Sequence, residues 1–114
     1  MNNISTYPSK LNYTQIAPVN FAIAPGGPGW LNTDMSAAVP SIARFVAFTL
    51  NAGSPLGATP GIRPTGSAID GRFPATAIAY QSVFAIVPNT GAGHFDCYQV
   101  AAGSQNYQVV GYFT

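Results

Sequence analysis

Glutamate is absent from this chain, lysine, histidine and cysteine occur once each, and only 6% of residues are charged. An ordinary soluble domain carries about 25%. The shortage excludes several classes of function. A net charge of +1 offers no grip on a phosphate backbone, so nucleic acid drops out as a main partner. With Cys97 alone, no intrachain disulfide forms and an oxidising compartment is not implied. No stretch approaches the roughly 18 successive apolar residues of a membrane-spanning helix. The first residues, MNNISTYPSK, lack the basic segment and apolar run of a signal peptide, which predicts a protein made and folded in a cytoplasm. Scarce charge also leaves a monomer poorly protected against association. Burial of much of the surface by other subunits is the expectation that follows.

What is present points to strands. The 114 residues are enough for one domain that buries roughly two-thirds of its unfolded surface. The 12 glycines and 10 prolines punctuate the chain, and 47% of residues are hydrophobic. Disorder is excluded by that hydrophobicity, and helix is disfavoured by the lack of Glu and Lys on which helix surfaces depend. YTQIAPVNFAIAP supplies one or two short strands, stopped by Pro18 and Pro25. SIARFVAFTLN is apolar on both faces and reads as a covered strand, with a buried helix as the competing possibility. TAIAYQSVFAIVP is a second apolar strand, NTGAG a hairpin connection, and HFDCYQV a strand that alternates. NYQVVGYFT closes the chain. This spacing predicts an all-β fold, an antiparallel β-sandwich. Residues 1–24 form an N-terminal arm or leading strand, and residues 25–114 the sandwich domain.

The chemistry-bearing residues are few. HFDC brings His94, Asp96 and Cys97 together, but alternation places Phe95 and Cys97 on one strand face and His94, Asp96 and Tyr98 on the other. A Cys–His dyad within the strand is therefore excluded, and Cys97 reads as a buried core thiol. One His, one Cys and three Asp give no zinc-type ligand spacing, and PGGPGW lacks the lysine of a phosphate loop. No enzyme, metal or cofactor is expected.

The segment GIRPTGSAIDGR, residues 61–72, gathers Arg63, Asp70 and Arg72 in a stretch poor in hydrophobic residues. It is expected as a long connection between core strands, pinned by Asp70 against either arginine. The open alternative is that one arginine reaches a neighbouring subunit or a sugar. Trp30 beside the Gly/Pro turn is either an anchor for that turn or a stacking platform. Tyr98, Tyr107 and Tyr112 are expected packed, with hydroxyls at the rim.

GIRPTGSAIDGR, then an apolar strand, then GAGHFDCYQVAAGSQNYQVVGYF resembles a domain met in phage tail and virion surface proteins. The resemblance rests on Arg63, Gly66, Ser67, Asp70 and Arg72, then Phe95, Asp96 and Tyr98, then Tyr107, Val110, Gly111, Tyr112 and Phe113. It covers residues 40–113 and implies a jelly-roll-like sandwich that assembles with itself or on a larger particle. The expected function is then a non-enzymatic virion structural protein, a capsid decoration or cement subunit. Its partners are its own copies, as dimer or trimer, and the major capsid protein or another virion protein. No membrane partner is expected. Two alternatives stay open: a tail-fibre or lectin-like module binding host glycans, and a filament subunit joined by strand exchange through residues 1–24.

Overall fold

The apolar stretches that alternate or carry β-branched residues form seven strands in the computed structural model, which describes residues 10–24, 26, 29–53, 61–68, 82–99 and 104–114. They are β1 (Tyr13–Ile23), β2 (Gly29–Asp34), β3 (Phe45–Gly53), β4 (Ile62–Pro64), β5 (Ser82–Pro88), β6 (His94–Gln99) and β7 (Ser104–Phe113). Four of them make one sheet in the order β1-β7-β3-β5, and three make a second in the order β2-β6-β4. Every pairing is antiparallel. Each described strand lies in the opposite sheet from the one before it. The last strand inserts between the first and third, and β6 inserts between β2 and β4. That alternation is the winding of a jelly roll. The fold is an all-β, antiparallel, jelly-roll-like sandwich.

The competition between strand and helix for residues 41–51 resolves as a strand, β3, that starts at Phe45. Val46, Phe48 and Leu50 point inward and are fully buried. Tyr107 and Val109 of β7 and Val87 of β5 join them from the same sheet. Phe95 and Cys97 of β6 and Ile62 of β4 meet them from the second. The rings of Phe48 and Phe95 cross the interface edge to face, with centroids 5.0 Å apart. Burying two such rings stabilises the fold by about 2–3 kcal/mol each.

Tyr107 corrects the expectation of rim hydroxyls. Its side chain is wholly buried, and its Oη donates to the Tyr98 carbonyl at 3.0 Å. The same oxygen accepts from the Gly61 N–H at 3.3 Å. A buried phenol needs partners, and here both come from outside its own sheet, so one side chain ties the two layers together.

Three connections also differ from the sequence expectation. Pro18 does not stop a strand. β1 is an edge strand, and Pro18 sits at a register shift between Gln15 and Val19, where no ladder donor is lost. Residues 89–93 are not a hairpin connection, because β5 pairs with β3 while β6 pairs with β2 and β4. The segment instead carries the chain from one sheet to the other. Asn89 holds it by donating Nδ2–H to the Ala43 carbonyl at 2.9 Å and accepting from the Gly93 N–H at 2.8 Å. Gly93 has a φ of 86°, and a Cβ there would meet the Ser36 backbone at 2.8 Å. Finally, the 61–72 segment is not connection throughout, since Ile62–Pro64 pair with Phe95–Cys97 as β4.

Candidate functional site

β2, β6 and β4 lie side by side, and their outward residues form transverse rows. Trp30 pairs with Tyr98, Asn32 with Asp96, and Asp34 with His94. On the far side Arg63 pairs with Asp96. The alternation read from HFDCYQV therefore holds, with Phe95 and Cys97 fully buried and His94 and Tyr98 facing outward. Among the described strands, every charged residue stands on this sheet: Asp34, Arg63 and Asp96.

The Arg63 guanidinium lies over the Trp30 ring, 4.0 Å from its centroid. Its Nε meets Asp96 Oδ2 at 3.4 Å, with the two side chains 16% and 11% exposed. Asp96 also accepts from the Gly66 N–H at 3.1 Å and from Asn32 Nδ2 at 3.3 Å. Gly66 reaches that carboxylate with a φ of 74°, a conformation that favours glycine. The Trp30 and Tyr98 rings meet edge to face at 5.2 Å. Two of the four residues singled out from sequence, Trp30 and Arg63, are thus in contact. Asp70 and Arg72 lie outside the described residues. Among the described residues the carboxylate that meets Arg63 is Asp96, across the strand pair, and the expected pin by Asp70 falls outside the described residues.

The other end of this face is open. Asn32 Nδ2 donates to Thr65 Oγ1 at 2.7 Å, and Asn32 Oδ1 lies 3.1 Å from His94 Nδ1. His94 Nε2 lies 3.7 Å from Asp34 Oδ1, and both side chains are exposed. Asp34 accepts from the Ser36 hydroxyl at 2.6 Å and from its N–H at 2.9 Å. Those two bonds, with the imidazole nearby, hold the Asp34 carboxyl below its ordinary range. Cys97 shares none of this. Burial pushes its thiol up to about 12, so it is no thiolate nucleophile at neutral pH. Among the described residues, no three of His, Cys, Asp or Glu converge as metal ligands.

The outer face of the four-stranded sheet is the opposite case. Tyr13, Phe113, Phe45 and Pro88 form one row across it, and Gln15, Gly111, Ala47 and Ile86 the next. Leu11, Phe45, Ile86 and Phe113 line a shallow groove of about 210 Å³. Phe84 is 58% and Ile86 50% exposed. Farther along the sheet most outward residues are amides and hydroxyls, Asn20, Gln108, Thr49 and Asn106, with Phe84 opposite Thr49 on β5. None of the four strands contains a single charged residue. Sequence reading registered the shortage of charge but not this partition, because it requires knowing which strands share a sheet.

Compared with known families, curated proteins and solved structures, the chain matches none.

Proposed function

We propose that this protein is a non-enzymatic structural subunit of a virion surface, a decoration or cement protein that self-associates and binds the shell. One observation carries the reading: the charge-free four-stranded sheet set against a second sheet that holds every charged residue of the described strands. Natural sandwiches blunt exposed edges and faces with lysine and other charges, and an uncharged face without them is suited to contact another protein. Jelly-roll winding is widespread in shell proteins, which supports the reading by fold analogy. The polar groups of the second sheet are largely engaged with one another, as structural side chains are. Quantitative mass spectrometry of purified particles from the source tests the role. A copy number comparable to the major shell protein is expected, and absence from particles refutes it.

A second reading rests on the other face. Trp30 and Tyr98 supply aromatic surface beside exposed Asn32 and Asp34 and half-buried His94, the mix from which sugar sites are built. It makes the protein a lectin-like or tail-fibre module. A glycan array is the check: hits that vanish with Trp30→Ala support it, and an array without hits refutes it.

A further inference from the structure

We infer that the outer face of the four-stranded sheet packs against the same face of a second copy, across a two-fold axis running roughly along the strands. The inference rests on the assembling role proposed above and names its partner and geometry.

The chemistry of the face selects a copy of itself. Its strands carry no charged residue, so the strand rows of two copies meet without like charges, and the exposed cations beside the face are Lys10 and Arg44, next to Leu11 and Phe45 at its apolar end. Nor do its strands offer a charge to select an acidic or basic partner. Its polar groups are Asn20, Asn106, Gln108, Gln15 and Thr49, and amides and hydroxyls both donate and accept. Such groups bond their own duplicates, which carboxylates or ammonium groups do not.

The gradient along the sheet then sets the axis. Apolar residues crowd the end where β3 and β1 begin, and amides dominate the other, which they share with Phe84 opposite Thr49. A two-fold along the strands lays apolar end on apolar end and amide end on amide end. It stacks β7 of one copy over β3 of the other, so Phe113 meets Phe45, and it sets β1 over β5, so Tyr13 approaches Pro88. Aligned sandwiches pack in this way, at about 30° and about 10 Å between sheets.

Size is sufficient. Four strands about 4.8 Å apart and about eight residues long give a flat footprint of roughly 500 Å² per copy. The pair then buries about 1,000 Å² or more, the lower bound of a specific interface. A reversible, micromolar dimer is expected.

Sedimentation equilibrium of the full chain, from about 1 to 500 μM, tests this against the range typical of such interfaces. Wild type is expected to dimerise without larger species. Ile86→Lys is expected to weaken the dimer at least ~100-fold, since the two-fold buries two ammonium groups at once. Phe84→Thr/Ile86→Thr keeps strand propensity and adds no charge, and should weaken it roughly 10-fold or more. Melting temperatures of these variants, measured at a concentration where wild type is monomeric, establish that each still folds. Ile42→Thr removes the most exposed large apolar side chain among the described residues, at 69%, which belongs to none of the four strands, and should leave the constant unchanged. A monomeric wild type, folded variants that dimerise as wild type does, or an Ile42→Thr effect of equal size each overturns the inference. A dimer sensitive to Ile86→Lys in a chain absent from particles keeps this interface and removes the virion role. Particle-bound chain with the wild-type constant in both variants does the reverse.

Discussion

Replacing Arg63 with alanine separates a structural arginine from one held ready for a partner. In the structure the guanidinium closes a row: Trp30 beneath it at 4.0 Å and Asp96 beside it at 3.4 Å. The ion pair is long but shielded, with side chains only 16% and 11% exposed. Its loss falls between the ~0–1 kcal/mol of a surface pair and the ~3–5 kcal/mol of breaking a buried one. Asn32 and Gly66 still donate to the stranded carboxylate, which keeps the cost toward the middle. Loss of the cation–π contact adds about 0.5–1 kcal/mol. We expect a total of about 2–3 kcal/mol. Unfolding entropy per residue makes that roughly 8–12 °C of melting temperature for a chain of this size. Differential scanning calorimetry of the isolated protein reads it directly. In the Asp96→Asn background the same substitution should cost about 1–2 kcal/mol less, because a neutral amide does not need the cation. A fall below ~3 °C with no coupling to Asp96 would refute this reasoning and place Arg63 at a partner instead.

Three further outcomes follow from buried and capped groups. Tyr107→Phe removes the one oxygen that joins Gly61 N–H and the Tyr98 carbonyl, and urea titration should show a loss of about 1–3 kcal/mol at an unchanged m-value. Cys97, with its thiol pushed up to about 12 by burial, should resist a disulfide reagent at pH 8 in the native protein and react stoichiometrically in guanidinium; a fast native reaction would contradict its place in the core. Asp34 is held below its ordinary 3.8, chiefly by the Ser36 side chain, so its contribution to stability is present above that pH and is lost as pH falls through the folded value. Ser36→Ala should therefore lower the melting temperature at pH 6 and make no difference near pH 2, and an effect of equal size at both would refute the linkage.

Much of the fold was legible because alternation is a local property. HFDCYQV assigns inside and outside within one strand, and Phe95 and Cys97 are buried as that pattern requires. The run FVAFTLN declares itself by β-branched and aromatic content. The connections were not legible for a reason that is equally physical. NTGAG carries the composition of a hairpin, and Ala92 and Gly93 do adopt positive φ. Yet the turn residues set only the local bend. Whether the two flanking strands pair depends on partners far away, β3 for one and β2 and β4 for the other. Pro18 was read as a stop because a missing N–H disrupts a central strand; at an edge with a register shift, nothing is disrupted.

The same argument explains the site. Asp96 is a partner of Arg63 that proximity in the chain does not suggest, since the two are 33 residues apart. Register decides: β4 pairs Arg63 with Asp96, and both project from the outer face because each inward neighbour, Ile62 and Cys97, belongs to the core. Nothing in a single sequence states that register. The charge partition has the same status. Four strands without charge are visible in the letters alone, but they become one face only when the jelly-roll order brings β1, β7, β3 and β5 together. Topology thus turns a bland deficiency of composition into a surface with a direction. One sheet carries the charged rows of the described strands, and the other presents a face whose strands carry none.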